Sequence, residues 1–382
     1  MMSVALKMLV GDRLKYLGLV AGIAFAALLI TQQASILIGL AHQTGSFIRD
    51  TAVADLWVMD PQVRFSQDAL PIRDTTLERV RGVDGVQWAV PMYQGFLKAR
   101  LPDGTRVTTI LVGVDDATLL GGPPRIVRGT LADLRGDNAV FIDESALDTK
   151  WMQKRSGGRG LRIGDRITIN DKDAVIAGTY SASQSFFWEP ITYPTYTRAL
   201  RYAPPERNLM VFTLVKVAPG QDVADVAARI ARTTGLDALT GEQFIARTAD
   251  YILKETGILV NFGLAVGLGF VIGTLIAGQM LYNFTLDNLR HYGALKAMGA
   301  GNWLLVRMTM LQVLTVGALG LGIGVGAATY LGRIVGDAGL AFRMPWQVLA
   351  GAAVAILVIC TLAGLLSIVR VLRLEPAVVF KA

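Results

Sequence analysis

The sequence is poor in the residues that most often carry chemistry. Its 382 residues include one cysteine, Cys360, and two histidines, His42 and His291. A single cysteine excludes an intrachain disulfide, and so few histidines and cysteines leave no set of typical zinc ligands. The P-loop pattern G-x-x-x-x-G-K-[ST] and the serine-hydrolase pattern G-x-S-x-G are both absent. We therefore expect no catalytic residue, no metal site and no cofactor bound by this chain itself.

Charged residues are also sparse, at 18% of the chain, while 52% of the residues are hydrophobic. Lys and Arg number 37 against 30 Asp and Glu, which gives a net charge of +7. Residues 41–255 contain 26 basic and 26 acidic residues, so the whole surplus lies in the rest of the chain, beside apolar runs. A nucleic-acid-binding domain needs basic residues clustered on one folded face. We expect no nucleic-acid partner.

Four long stretches contain no charged residue: Tyr16–Ile48, Thr256–Leu286, Met308–Gly332 and Met344–Val369. Each exceeds the roughly 20 residues that a helix needs to cross a bilayer. A buried core helix is the alternative, but four such uncharged runs are not typical of soluble proteins. In lipid the backbone must satisfy its own hydrogen bonds, so the runs should be helical. The sequence predicts four transmembrane helices.

The first apolar run has features of both a signal peptide and a membrane anchor. The sequence Gly39-Leu40-Ala41 has the small-x-small form of a cleavage site. However, the apolar core of a signal peptide spans only about 7–15 residues, and this run extends from Leu17 to Leu40. We interpret it as an uncleaved anchor.

Short cytoplasmic flanks of membrane helices collect Lys and Arg. Only Arg333 and Arg343 lie between the third and fourth runs. Nine basic residues lie in the other flanks: Lys7, Arg13, Lys15, Arg290, Lys296, Arg307, Arg370, Arg373 and Lys381. This asymmetry predicts that both termini are cytoplasmic and that the large segment after the first helix lies on the outer side of the membrane.

The predicted fold class is a membrane protein with four transmembrane α-helices and a large α/β extracytoplasmic domain between helices 1 and 2. In this domain alternating strand patterns accompany short helices, one of which begins after an Asp cap at Asp74. The predicted segments are 1–15 (cytoplasmic), 16–40 (first helix), 41–255 (periplasmic; 50–114 plus 206–250 as an α/β subdomain, 115–205 as a β-rich insertion), 256–286 (second helix), 287–307 (cytoplasmic coupling segment), 308–332 (third helix), 333–343 (external loop), 344–369 (fourth helix) and 370–382 (cytoplasmic tail).

The cytoplasmic connection contains the most specific motif. Asn288–Gly301 reads NLRHYGALKAMGAG, and Leu374–Phe380 reads LEPAVVF. Both resemble the signature and the tail of FtsX-type permeases, although His291 stands where Glu is common. One helix, a large external domain and three further helices is the MacB-type layout, so the resemblance covers the whole chain. Gly22–Ala26 resembles the DevC branch.

This resemblance implies a non-catalytic permease subunit of an ABC transporter. Its implied partners are two copies of a cytoplasmic ATPase that binds ATP and Mg, a second permease copy as a homodimer, membrane lipid, a periplasmic adaptor of the membrane-fusion type and an outer-membrane channel. The coupling segment would dock into a groove of the ATPase. The implied coupling residues are Leu289, Arg290, Tyr292, Gly293, Lys296, Ala297, Met298 and Gly299.

Two further groups of residues are candidates for binding. Thr31, Gln32, Gln33 and Ser35 form a polar step in the first helix. They would line a dimer interface or a substrate entrance, or else hydrogen-bond to neighbouring helices. Phe186, Phe187, Trp188, Tyr193 and Tyr196 form an aromatic run in the external domain. Its members would contact an adaptor or a lipid-like substrate, or else form a small local core.

Four small-residue spacings of the G-x-x-x-G type occur in the apolar runs, and such spacings let helix backbones approach closely. They are Gly263/Gly267, Gly269/Gly273, Gly320/Gly324 and Gly322/Gly326. No apolar run has an ionisable residue in its interior, which disfavours an ion-coupled carrier. The expected function is ATP-driven export or extraction of a drug, lipid or glycolipid, peptide or lipoprotein by mechanical transmission. The alternative is a transmembrane signalling subunit that activates a periplasmic partner such as a hydrolase.

Overall fold

A computed structural model describes residues 2–147, 160–187, 189–207, 209–337 and 340–372. Two compact units are present. Residues 1–40 and 257–382 form the helical unit, and residues 41–256 form the sheet unit.

The α-helices are α1 (Met2–Gly11), α2 (Arg13–Thr44), α3 (Ser46–Asp50), α4 (Thr75–Arg81), α5 (Tyr196–Tyr202), α6 (Val223–Thr234), α7 (Gly241–Glu255), α8 (Ile258–Asp287), α9 (Leu289–Ala297), α10 (Asn302–Asp337) and α11 (Trp346–Leu372). The strands are β1 (Leu56–Met59), β2 (Val86–Arg100), β3 (Arg106–Gly113), β4 (Ile126–Arg128), β5 (Ala139–Asp143), β6 (Arg166–Ile169), β7 (Lys172–Tyr180), β8 (Ile191–Tyr193), β9 (Phe212–Val217) and β10 (Asp237–Thr240).

Four helices in the described residues are long and apolar enough to cross a membrane. They are Arg13–Thr44 of α2, Ile258–Asp287 of α8, Asn302–Ile334 of α10 and Trp346–Val369 of α11. One of these helices lies near the N-terminus and three lie in the C-terminal region, with the mixed sheet between them in sequence. The predicted fold class is confirmed.

Glycines bring helices of the helical unit together. A side chain at Gly320 would lie 2.6 Å from Ile23, and one at Gly324 would meet the α2 backbone at Leu28 N, 2.9 Å away. On α8, Gly269 and Gly273 approach α2 in the same way. The other two predicted spacings differ, because no described atom of another helix lies within 4 Å of a Cβ built at Gly263, Gly267, Gly322 or Gly326. Two of the four spacings therefore pack helices together, and the other two have no such contact among the described residues.

In the sheet unit, the strands of the described residues form one mixed sheet in the order β10-β1-β9-β2-β3-β8-β5-β7-β4, with β6 beside β2 and β7. The long strand β2 joins its two parts. It pairs with β9 up to Met92 and with β3 from Tyr93 onward. Strand β3 in turn pairs with β8, so the sheet is continuous across the boundary predicted near residue 114.

Of two aspartates that precede helices in the sheet unit, one caps its helix and the other does not. The Asp222 carboxylate accepts hydrogen bonds from Ala224 N and Asp225 N at the start of α6. The predicted Asp74 cap of α4 is wrong. Asp74 makes no capping hydrogen bond and has helical backbone angles (φ −58°, ψ −33°), whereas a capping residue normally has extended ones. Its carboxylate instead accepts a hydrogen bond from the Tyr196 hydroxyl, 3.1 Å away.

Candidate coupling site

Helix α9 contains most of the predicted coupling residues, and its C-terminus has a defined cap. Gly299 adopts a left-handed conformation with φ +90°. Gly299 N donates to Lys296 O (3.1 Å), and Ala300 N donates to Leu295 O (3.0 Å). These two bonds form a Schellman motif, which favours glycine because a left-handed residue with a side chain is strained. The sequence Met298-Gly299-Ala300 therefore ends the helix at a fixed position.

Tyr292 anchors α9 to the rest of the helical unit. Its side chain is fully buried, and its hydroxyl donates to Gln312 Oε1 on α10, 3.0 Å away. The Gln312 amide donates in turn to Ala5 O on α1 (2.8 Å). Burial raises the pKa of Tyr292, so its hydroxyl stays protonated and able to donate. The three helices are thus joined by one chain of hydrogen bonds.

Next to these hydrogen bonds lies a small apolar core. It is formed by Ala5, Tyr292, Leu295, Ala300, Leu305 and Met308. It joins α1 and α10 to both sides of the turn at Gly299. Sequence analysis did not identify α1 or Gln312 as part of this site. The sequence did contain a signal for Gln312. A glutamine within an apolar helix, if buried, needs hydrogen-bond partners, so it indicates a contact with another segment.

The predicted coupling residues fall into two groups. Tyr292 and Gly293 are buried within the chain, so we assign them to positioning rather than to direct contact. Leu289 and Lys296 are half-buried, whereas Arg290, Ala297, Met298 and Gly299 are exposed. The Met298 side chain is 74% exposed.

Trp303 follows five residues after Met298 and is 72% exposed. It was not among the predicted coupling residues. Two large apolar side chains are therefore exposed close together in sequence, one on each side of the capped turn. We call Ala297, Met298, Gly299 and Trp303 the coupling surface.

An ion-pair cluster lies where α2 begins and α8 ends. The Lys15 ammonium lies 3.1 Å from the Asp12 carboxylate and also contacts Asp287. The hydrogen bond from Lys15 holds the pKa of Asp12 below its usual range. Because Asp287 is the last residue of α8, the cluster connects the start of α2 to the end of α8, two residues before α9 begins.

The polar step of α2 is divided between the inside and the outside of the helical unit. Thr31 and Ser35 are fully buried, and neither hydroxyl has a hydrogen-bond partner among the described residues. The Ser35 carbonyl accepts from Arg343 N at 3.1 Å. Gln32 and Gln33 are half-buried. Only the two glutamines are accessible to a neighbouring molecule in this conformation.

The aromatic run is divided as well, and Trp188 lies outside the described residues. Tyr193 is buried in the core, 5.1 Å from the Tyr180 ring, and burial raises its pKa well above the usual value. Phe187 is half-buried between Phe65 and Phe96, with ring centroids at 5.9 and 6.0 Å. Phe186 packs on Phe187, and Tyr196 is half-buried.

Within the described ranges, no group of three or more His, Cys, Asp or Glu side chains is arranged to hold a metal ion. What the candidate site presents at its surface is exposed apolar side chains, chiefly Met298 and Trp303.

Comparison with known proteins identifies two family models in the chain. The FtsX-like permease C-terminal model matches residues 252–376, and the MacB-like periplasmic core domain model matches residues 16–233. No match was found among curated proteins.

Solved structures similar to the chain include two domains of transporters. The extracellular domain of the ABC-type transporter YknZ from Gram-positive bacteria is 14% identical, with a TM-score of 0.34, and the match covers 49% of this chain and 99% of that one. The periplasmic region of MacB from Actinobacillus actinomycetemcomitans is 13% identical, with a TM-score of 0.37, and covers 51% and 92%.

The MacB-like model alone matches more than half of the chain, and the FtsX-like model matches the part that holds α9 and the coupling surface. The chain has the four apolar helices and the mixed-sheet domain that this family combines. It belongs to the family of FtsX-like ABC permeases with a MacB-like periplasmic core domain.

Proposed function

We propose that this permease docks a separate cytoplasmic ATPase through its coupling surface and transmits ATP-driven motion to its periplasmic domain. The observation that carries this proposal is the exposure of Met298 and Trp303 at a turn whose other side is buried and hydrogen-bonded. Exposed apolar side chains on a fixed support favour a protein interface, because burying them releases free energy without ordering a mobile loop.

The hydrogen-bonded chain gives a route for the motion. A force applied at Met298 acts on α9, and the Tyr292–Gln312–Ala5 bonds connect α9 to α10 and α1. Packed helices move as bodies rather than deform continuously. Rotation of the coupling surface should therefore move the membrane helices, as mechanical transmission requires.

The proposed assembly contains two permease copies, two ATPases that bind ATP and Mg, and a periplasmic adaptor with an outer-membrane channel. Both termini lie in the cytoplasm, and the helices span the inner membrane. The proposed activity is export or extraction of a hydrophobic or amphiphilic cargo, such as a drug, a lipid or glycolipid, a peptide or a lipoprotein. The absence of charge inside the apolar runs supports an energy source outside this chain.

The test is Met298→Asp, which places a carboxylate at the centre of the coupling surface. Burying an unpaired charge in an apolar groove is strongly unfavourable. We expect normal membrane insertion, loss of the co-purifying ATPase and loss of transport together. Co-purification and ATPase activity of the reconstituted complex are the measurements.

Ile163→Asp is the matched control, because Ile163 is an exposed apolar residue (44%) of the sheet unit. It adds the same charge and should leave ATPase binding unchanged. A Met298→Asp protein that still binds its ATPase at wild-type stoichiometry would show that the coupling surface is only a connecting turn.

A further inference from the structure

Strand β2 has an unpaired stretch on one edge. Met92 O accepts from Val211 N (3.1 Å) before β9 begins, and Lys98 O accepts from Asn170 N (2.9 Å) beside β6. Among the described residues no strand pairs with this edge between these two points. Alternate residues of a strand direct their peptide groups to the same side. The peptide groups of Gln94 and Phe96, which share the parity of Met92 and Lys98, therefore face this edge.

A cavity of about 460 Å³ lies against the same stretch of β2. This volume falls within the roughly 300–1,000 Å³ of ordinary ligand sites. Its walls come from β2 on both sides of Gln94, from residues 67–71, and from Pro204, Glu206 and Val211. The cavity lies wholly within the sheet unit.

Gln94 is the unusual residue of this wall. It lies on the face of β2 that carries Met92 and Phe96, and it is only 3% exposed. Neither its Oε1 nor its Nε2 has a hydrogen-bond partner in the described part of the chain. A buried amide with no partner is unfavourable and rare in folded proteins. A ligand that supplies both a donor and an acceptor would satisfy it.

The charges and the apolar walls narrow the class of ligand. Among the residues that the structure describes, Asp68 and Glu206 are the charged residues of the lining, and no basic side chain belongs to it. Asp68 also accepts from Arg64 N at 3.1 Å and lies 3.5 Å from Arg64 Nε, whereas Glu206 is exposed. Leu70, Phe96, Leu97 and Val211 supply apolar surface. The lining therefore favours a ligand with a positive charge and apolar side groups.

We propose that this cavity binds a short, positively charged peptide in an extended conformation. Its backbone pairs with the free edge of β2 at Gln94 and Phe96, as in recognition by strand addition. The Gln94 amide bonds to a peptide group, and Glu206 attracts the positive charge. The inference rests on the proposed function for the role of this peptide as cargo, but its binding can be measured without the ATPase.

The experiment uses the full-length chain in lipid nanodiscs and isothermal titration calorimetry. The probe is leucyl-lysyl-leucinamide with a free amino terminus, and acetyl-leucyl-glutamyl-leucinamide is the peptide of opposite charge. We expect saturable binding of the basic peptide and at least tenfold weaker binding of the acidic one. A basic peptide with N-methylated peptide groups should also bind weakly, because it cannot pair with a strand edge.

Gln94→Leu should weaken binding of the basic peptide by about tenfold or more, since it removes the amide bonds. The melting temperature of the free protein should stay the same or rise, because the unpaired amide is gone. Gln87→Leu is the matched control: Gln87 is exposed on the same strand and does not line the cavity. It should bind the peptide as the wild type does.

Three results would overturn the inference: no saturable binding to the wild type, equal binding to Gln94→Leu, or equal binding of the two peptides. Failure here leaves the coupling surface untouched, because Met298→Asp is tested through the ATPase alone. Conversely, the Met298→Asp variant could keep its ATPase while the wild type binds the basic peptide. That result would refute the coupling proposal and leave the peptide site in the cavity supported.

Discussion

The two units of this permease use small and large side chains in opposite ways. In the helical unit, helices approach each other where a side chain is missing, as at Gly320 and Gly324. In the sheet unit the core centres on Trp57, whose ring lies 5.4–5.8 Å from those of Phe47, Phe212 and Phe244. In lipid, apolar burial drives helices together only weakly, so close backbone packing replaces it. In water, large buried rings contribute most of the stability.

The largest expected effect is in the sheet core. Trp57 is 1% exposed, and Trp57→Ala should destabilise the sheet unit by about 3–5 kcal/mol. Trp346 of the helical unit is 72% exposed, so Trp346→Ala should change stability by less than about 0.5 kcal/mol. Pulse proteolysis in urea, with fragments of residues 41–256 quantified, is the measurement. Equal losses in both variants would contradict the contrast between the units.

The next effect is an overpacking of the helical unit. Gly324→Leu inserts a side chain against the α2 backbone and should cost about 1–3 kcal/mol. Gly322→Leu is the control, because in the described part of the chain no atom of another helix lies within 4 Å of its added Cβ. The measurement uses Cys360, the only cysteine, which is 1% exposed in this unit. On heating, the reaction of Cys360 with a thiol dye should begin at a lower temperature in Gly324→Leu only. The same shift in Gly322→Leu would show that both glycines contact a neighbouring helix.

The smallest expected effect concerns the hydrogen-bonded chain beneath the coupling surface. Tyr292→Phe keeps the ring but leaves Gln312 Oε1 without its donor, at a cost of about 1 kcal/mol. Tyr330→Phe is the control, since Tyr330 is 68% exposed. We expect Tyr292→Phe to keep its ATPase bound but to lower transport per ATP hydrolysed. Unchanged transport per ATP in proteoliposomes would show that the Tyr292 bond does not transmit motion.

The order of the two units along the chain, and the structural class of each, could be predicted from the sequence. Uncharged runs longer than a bilayer is thick have few folded alternatives, so α2, α8, α10 and α11 follow from composition. The Asp222 cap of α6 and the left-handed Gly299 at the end of α9 are also local features, because nearby backbone geometry decides them. Asp74 shows the limit: its side chain had a better-placed partner in Tyr196, 122 residues away in the sequence.

The coupling site shows the same division between local and distant information. The motif indicated α9, yet the sequence alone did not separate buried Tyr292 from exposed Met298. That separation depends on α1 and α10, which supply Ala5 and Gln312. Similarly, Thr31 and Ser35 are uncharged polar residues of α2, as Gln32 and Gln33 are. Only the packing of α2 buries the first pair.

The sequence by itself determined which segments cross the membrane, which segment forms the separate domain and which motif marks the family. Those properties depend on hydrophobicity, charge and local backbone preference, which each segment carries with it. Tertiary structure alone decided which glycines touch a neighbouring helix and which edge of β2 stays open above the Gln94 amide. Two G-x-x-x-G spacings overlap on one helix, and only the position of α2 distinguishes Gly324 from Gly322.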